Sequence, residues 1–400
     1  VLDCSFRTPK KPTLKALPIV GILRVANIIL RVVARVFFGV LPWRKNWQPK
    51  RILVHRYGNV GDVVVAVPAL AALRLRFPNA YIVLLTSPGS EKWNLPGAKE
   101  ILAHSDVVDE IWCYYLEDIH ESKRRRRLIE RIRRGRFDLL VALNNERQPL
   151  RKQVREMVFF RLCGIRRAIG WEVVHPPDCF RRWARKMEFL PQTLRLLRLI
   201  RRLRVDERTA IKSAARFLRG SDADASWAET VVAQLRVRGR KVIGLHPGGK
   251  TAVQKWPLER WEELARRVKK TGFRILVLGG DTDREWCERI RPYCDGEMFI
   301  KLPFGRLIEL TRRLDVLVSH DTGLAHIAAA LGTPLVAIYS GRNYRYKWDP
   351  FGCGRIRVIR ADNIDCEGCF LSDCPTHRCM REIDVDRVVT AVGELCACVE

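Results

Sequence analysis

Three short segments combine residue types suited to group transfer. The first is Gly58-Asn59-Val60-Gly61-Asp62. Its two glycines permit a tight turn with exposed backbone N–H groups, and Asp62 follows where a helix begins. There it fits either of two roles: an N-cap accepting backbone hydrogen bonds, or a general base within reach of a substrate hydroxyl. The glycine spacing is not G-x-G-x-x-G, so a dinucleotide is not indicated. The second segment is His246-Pro247-Gly248-Gly249, followed by Lys255-Trp256-Pro257. A loop of small residues at a strand end lets phosphate approach closely, and a lysine beyond it can neutralise charge developing on a leaving diphosphate. No Gly-Lys-Ser/Thr ending follows, which argues against ATP hydrolysis. His246 also fits a buried strand end, and Lys255 a solvated loop. The third segment, Ser319-His320-Asp321-Thr322-Gly323-Leu324-Ala325-His326, carries a strand into a helix whose first amides suit a phosphate. Thr322 adds a hydroxyl, and Asp321 and His326 are close enough in sequence to share the site. Asp321 and Thr322 also fit plain capping. Two histidines flanking an acid suggest a metal, but the spacing is not that of an HExxH helix pair.

These segments need elements to hold them. Residues 51–55 form a short apolar strand pattern that empties into the first glycine turn, with a helix expected over 62–75 and a second strand over 80–86. A basic helix is expected over 122–134, a strand over 137–143, and mostly helix over the Arg-rich 181–218, before a polar stretch at 220–226. The pattern then restarts, with strands over 241–245, 273–278, 314–319 and 335–339 and helices over 258–271 and 323–331. Central strands without polar alternation imply a parallel sheet covered on both faces. The expectation is an α/β protein with two parallel-sheet domains facing each other across a cleft, divided near 220–238. Ligands of such sheets sit outside the carboxyl ends of the strands, where all three segments fall.

Taken together and in order, RYGNVGDVVVAVPAL (56–70), HPGGKTAVQKWP (246–257) and SHDTGLAHIAAALGTPLVAIYS (319–340) resemble the bacterial lipopolysaccharide heptosyltransferases of glycosyltransferase family 9. The resemblance runs from about residue 51 to 384. It implies a GT-B fold of two Rossmann-like domains, an acceptor-binding one over 49–225 and a donor-binding one over 238–390, preceded by an amphipathic segment over 1–48. It further implies inverting, metal-independent transfer from ADP-heptose to a phosphorylated glycolipid. By matching motif, Asp62 is the general base. Gly61, Gly248, Gly249, Lys255, Asp321, Thr322, Gly323, Leu324 and His326 line the nucleotide-sugar site, with Lys255 and the amides around 321–323 on the diphosphate.

The charge balance bears on the partner. The 400 residues hold 73 Lys or Arg against 44 Asp or Glu, a formal charge of +29. The first 200 residues carry 38 of the basic and 17 of the acidic side chains, so most of the excess lies there. On charge alone, nucleic acid and phosphorylated lipid fit equally. Nucleic acid is disfavoured because the basic stretches lack interleaved aromatics and any nucleic-acid-binding motif. The 123–136 stretch, with nine Lys or Arg in fourteen residues, and the basic 151–186 region fit either solvated faces or a docking surface for a phosphorylated lipid core. Residues 14–41 read as an apolar helix with Arg24, Arg31 and Arg35 in one narrow stripe, ending at Pro42 beside Trp43 and Trp47. Its longest uncharged run, 16–23, is too short to span a bilayer. It fits either a helix packed on the domain or one lying in an anionic membrane surface, which would place the chain at the cytoplasmic face of the inner membrane.

The chain departs from the simplest family members in that segment and in Cys366, Cys369, Cys374 and Cys379, spaced C-x2-C-x4-C-x4-C. Four soft ligands so close fit a structural zinc or iron site, or else reduced thiols or one disulfide in a surface loop. Two other functions compete with transfer to lipopolysaccharide. One is transfer of heptose to protein hydroxyls, or a related transfer from another nucleotide sugar. The other is a non-catalytic module binding anionic lipid or nucleic acid.

Overall fold

The computed structural model describes residues 17–39, 47–143, 149–173, 187, 189–295, 298–362 and 364–397. The expected helix end at Pro42 and Trp43, and the later part of the basic 151–186 region, lie outside them. The chain forms two compact units. One holds the described residues before 189 together with Gln192–Ser213; the other holds Phe189–Pro191 and Ala214–Glu400.

The first unit is built on five parallel strands, β1 (Arg51–His55), β2 (Tyr81–Thr86), β3 (Glu110–Cys113), β4 (Leu139–Ala142) and β5 (Ala168–Ile169). Their spatial order is β3-β2-β1-β4-β5. Register sets Leu53 beside Val83 and Leu140. These three share one core with Leu30 of α1 (Leu17–Phe38), Leu128 and Ile132 of α4 (Ser122–Arg134), and Met157 and Phe160 of α5 (Leu150–Leu162). One sheet face is therefore covered by α1, α5 and α4 as a single layer. The helix expected over 62–75 is two helices, α2 (Val60–Val64) and α3 (Val67–Arg76). Pro68 explains the break: it has no N–H to continue the ladder from α2, and it suits the first turn of a new helix.

The second unit has six parallel strands, β6 (Val242–His246), β7 (Arg274–Gly279), β8 (Met298–Ile300), β9 (Val316–His320), β10 (Leu335–Ile338) and β11 (Ile356–Ile359). They are arranged β11-β10-β9-β6-β7-β8. The fully buried Trp256 and the equally buried Trp261 of α7 (Leu258–Lys270) anchor its core, which α9 (Val385–Ala397) closes with Val388, Val392 and Leu395. The polar stretch at 220–226 is no linker. Ser221 caps the helix Asp222–Leu235 through Asp224, and a Cβ on Gly220 would stand 2.7 Å from the Gly305 carbonyl oxygen. The exchange between units falls earlier, at 213/214, inside the helix Glu207–Phe217.

In both sheets the strand order reverses once, between β1 and β4 and between β6 and β9. Such switch points are where open parallel sheets bind ligands. The chain leaving β1 leads to Asp62. The chains leaving β6 and β9 lead to Gly248 and Asp321.

Candidate active site

At the first switch point, Gly58 has φ +133, and a Cβ there would lie 2.4 Å from the Asp62 side chain. Only glycine lets the turn close over that carboxylate. Asn59, not Asp62, is the N-cap of α2. Asp62 sits in the first turn and reaches back, its Oδ2 accepting the Asn59 N–H at 3.3 Å. Its Oδ1 accepts from Arg56 Nη2 at 3.0 Å. The Arg56 side chain is 1% exposed and that of Asp62 20% exposed. Arg56 also donates from Nη1 to the Leu143 carbonyl and from Nε to that of Asp62, both at 3.0 Å. The guanidinium thus ties the end of β4 to the start of α2 and fixes the carboxylate while leaving it open to solvent.

At the second switch point the side chains form a connected set. His246 Nδ1 pairs with Ser319 Oγ at 3.0 Å, and Ser319 Oγ with Thr322 Oγ1 at 3.1 Å. Thr322 is extended and precedes α8 (Gly323–Leu331), its hydroxyl engaged by Ser319 instead of capping the helix. The first amides of α8, on Gly323 and Leu324, have no carbonyl one turn earlier to bond. Lys255 Nζ lies 3.1 Å from Asp283 Oδ1 and 5.0 Å from the centre of the Trp286 ring. Asp283 Oδ2 accepts the Gly280 N–H at 3.1 Å. A Cβ on Gly248 would meet that same oxygen at 2.4 Å and His246 Nε2 at 2.9 Å, so the loop must be glycine to fit between them. Gly249 lies equally close to Lys255, 2.9 Å separating its would-be Cβ from Lys255 Cγ.

Asp321 accepts hydrogen bonds on Oδ2 from Asn343 Nδ2 at 3.1 Å and Gln254 Nε2 at 3.4 Å. Burial pushes its carboxyl up to about 6, opposed by the nearby Arg360 guanidinium. Arg360 is itself paired with Asp349. His326 is buried and packs edge-on to Trp348, and burial pushes it down to about 4. Burial likewise brings His246 to about 4.

His320 organises the loop. Its Nε2 accepts the Trp256 backbone N–H at 2.8 Å and the Trp261 indole N–H at 3.1 Å. Its Nδ1 lies 2.8 Å from the Gly248 carbonyl oxygen. Two donors on Nε2 require the proton on Nδ1, where it is given to Gly248. Burial brings this histidine down to about 3, so it holds that neutral form across the physiological range. One ring therefore ties together β9, the glycine loop, the residue after Lys255 and α7.

The sequence pattern located Asp62, Lys255 and Asp321 but missed the groups that hold them: Arg56, Asp283, Gln254, Asn343 and His320. Arg56, Gln254 and His320 lie within the motifs and Asp283 and Asn343 outside them, and nothing in their spacing announces these bonds. The histidines that raised the question of a metal are engaged otherwise. Among the described residues, no group of three His, Cys, Asp or Glu side chains is placed to hold a metal ion.

The cysteine cluster is no exception. Cys379 is buried, Cys369 and Cys374 half-buried, and Cys366 exposed. The Cys379 thiol is pushed up by burial and, more weakly, by the nearness of Cys366, Cys369 and Cys374. Cys374 is pulled down by hydrogen bonds from the Thr376 hydroxyl and the His377 amide. The four thiols share a corner of the unit, yet as placed they do not make a coordination set. The loop is tied to the turn carrying Asn343, the Gly368 N–H donating to the Gly341 carbonyl at 2.7 Å.

The family model of glycosyltransferase family 9 (heptosyltransferase) matches residues 125–379. Among curated relatives, lipooligosaccharide heptosyltransferase 2 of Haemophilus ducreyi is 30% identical over 172 residues, covering 40% of this chain and 49% of its own length. Lipopolysaccharide heptosyltransferase 2 of Escherichia coli K12 is 28% identical over 116 residues, or 25% of this chain and 31% of its own. The chain thus spans about half or less of the curated relatives it matches. Among solved structures, a family 9 glycosyl transferase from Veillonella parvula aligns with a TM-score of 0.62 at 17% identity, covering 87% of this chain and 97% of its own. The E. coli ADP-heptose lps heptosyltransferase II aligns at 0.57 and 21%, covering 87% and 98%. These likenesses establish the GT-B fold, two parallel-sheet α/β domains. With the family model matching more than half of its residues, the chain belongs to glycosyltransferase family 9, the heptosyltransferases.

Proposed function

We propose that this protein transfers heptose from ADP-heptose, with inversion, to a hydroxyl of a phosphorylated lipopolysaccharide inner core at the cytoplasmic face of the inner membrane. The observation that carries the reading is the anion seat of the second unit. Lys255, the glycine loop at Gly248 and Gly249, His246, Ser319, Thr322 and the open amides of α8 form one continuous set of contacts. That set suits a nucleoside diphosphate. The relatives' names point the same way: the curated ones are lipopolysaccharide or lipooligosaccharide heptosyltransferases, and two solved ones are E. coli WaaC with ADP and with ADP-2-deoxy-2-fluoro heptose.

In this reading Asp62 takes the proton of the acceptor hydroxyl as its oxygen attacks the anomeric carbon. The bond from that carbon to the diphosphate oxygen breaks on the opposite face, which inverts the configuration. The electron pair leaves with ADP, its charge met by Lys255 released from Asp283 and by the amides of Gly323 and Leu324. Asp321, held by Asn343 and Gln254, accepts hydrogen bonds from the donor sugar, and His326 supports it as a neutral ring. Incubating the purified chain with ADP-heptose and other nucleotide sugars, each with lipid-core or protein acceptors, tests the proposal. Release of ADP with a heptosylated glycolipid of inverted anomer is expected. Transfer from another nucleotide sugar alone, or onto protein hydroxyls alone, would overturn it.

A further inference from the structure

We infer that the layer formed by α1, α5 and α4 is the face by which the chain docks on an anionic phospholipid bilayer. The inference deepens the reading above and rests on it for the membrane concerned. One side of α1 is firmly seated. Leu30 is fully buried, Phe38 stacks on Trp171 at 5.1 Å, and Asn27 exchanges two hydrogen bonds with the Val173 backbone at 2.8 and 2.9 Å. The opposite side is apolar and open: Ile22, Val25, Ile28, Ile29, Val32 and Val36 are 40–79% exposed. At about 100° per residue these six fall in one arc, bordered on one side by the row of Arg24, Arg31 and Arg35. Neighbouring α5 extends the apolar surface with Val158 and Leu162, 38% and 57% exposed. The carboxyl end of α5 is joined to α4, Arg133 donating to the Leu162 carbonyl at 2.6 Å.

Along the three helices fifteen Lys or Arg face only two acids, Glu130 and Glu156. An aliphatic strip beside dense positive charge has few complements. A second copy of the same face would set cation against cation. Single-stranded nucleic acid would engage the charge but needs aromatic platforms, which this strip lacks. An anionic bilayer uses both features, the strip entering the acyl boundary and the arginines staying at the phosphates. No helix among the described residues is long and apolar enough to cross a membrane, so the attachment is to the surface.

The test uses the full chain, sedimented with phosphatidylcholine vesicles with or without phosphatidylglycerol, neither containing a glycolipid acceptor. Binding about tenfold tighter to the anionic vesicles is expected. Ile29→Glu with Val32→Glu should weaken it by a further factor of about ten, and Arg127→Glu with Arg134→Glu should weaken it and flatten its salt dependence. All four side chains are exposed, so the melting temperature should not move. Equal binding to both vesicles, no binding, undiminished binding by the Ile29/Val32 variant, or a wild-type oligomer that this variant dissociates would each overturn the proposal. Since no acceptor is present, binding survives if the transferase reading fails. Transfer to a de-acylated, soluble acceptor by a chain that ignores vesicles would sink the docking face alone.

Discussion

The two switch points hold their working groups by different means. In the first unit one buried charge does it: Arg56 fixes Asp62 from six residues away and also reaches the Leu143 carbonyl. In the second unit neutral groups do it, and over long distances in the chain. His320 reaches back 72 residues to Gly248 and 64 to Trp256, and Asn343 reaches 22 residues to Asp321. In the proposed transfer Asp62 must be aimed at the acceptor hydroxyl, and the adjacent guanidinium holds it in place. In the same proposal the second switch point keeps its positive charge for the diphosphate, since the neutral hydrogen bonds that shape the loop do not compete for it. Asp283 is an internal competitor, since it pairs with Lys255.

The largest effect is expected at the charged switch point. Asp62→Asn should lower kcat by about 10²–10⁴-fold, with the donor KM little changed. Arg56→Met should instead cost about 1–3 kcal/mol of stability in urea unfolding, because it removes the guanidinium's bonds to the Asp62 carboxylate and to the Leu143 and Asp62 carbonyls. If Asp62→Asn kept full turnover with its true acceptor, the first switch point would hold a structural carboxylate and the contrast would collapse.

That contrast also explains what the sequence made legible. Parallel strands buried on both faces read clearly as apolar runs, and the glycine turns mark their carboxyl ends, so β1, β2, β4, β6, β7, β9 and β10 were all anticipated. Short or exposed edge strands such as β3, whose Glu110 points outward, and the two-residue β5 carry too little pattern to read. Asp62 stands out because its glycines and its helix are local. His320 gave no such signal: its partners are two tryptophan N–H groups and a carbonyl that meet only once β6 and β9 pair, setting His246 beside Ser319. The break at Pro68 could have been read from the residue itself, yet the apolar run around it masks it as one helix.

A second prediction sharpens the neutral side of the comparison. His320→Phe leaves two donors and a carbonyl without partners, an expected loss of about 2–4 kcal/mol. With Lys255 mis-set, the donor KM should rise more than kcat falls, and His320→Gln should recover part of both. The acid response follows from the same rings. Unfolded histidine takes a proton near 6.5, whereas His246, His320 and His326 resist until about 4, 3 and 4. Between those limits the unfolded chain binds more protons, so the stability these rings contribute above pH 6.5 is lost as pH falls. Among the described residues, the first unit carries one such ring, His55, at about 3. Hydrogen exchange followed by peptide should therefore show the second unit opening first on acidification. Simultaneous opening would mean that the histidine network does not set the difference.

The smallest effect is expected at Asp321, a buried carboxyl held by two neutral amides. Its carboxyl titrates at about 6 because burial disfavours the anion, and Gln254 and Asn343 only partly offset this. If the anion accepts hydrogen bonds from the donor sugar, the donor KM should climb as pH falls through 6, by about tenfold at one unit below. Asp321→Asn should remove that acid limb and leave a uniformly raised KM. Stability must move the other way. A carboxyl whose pKa is higher folded than unfolded contributes most at acid pH, and that contribution is lost as pH rises through 6. The melting temperature of Asp321→Asn relative to wild type should therefore increase from pH 4 to pH 8. A variant with both a flat KM profile and a rising relative stability would identify Asp321 as a charge kept buried for the ligand at the fold's expense. One that lost stability at every pH would make it an ordinary cap of the strand end.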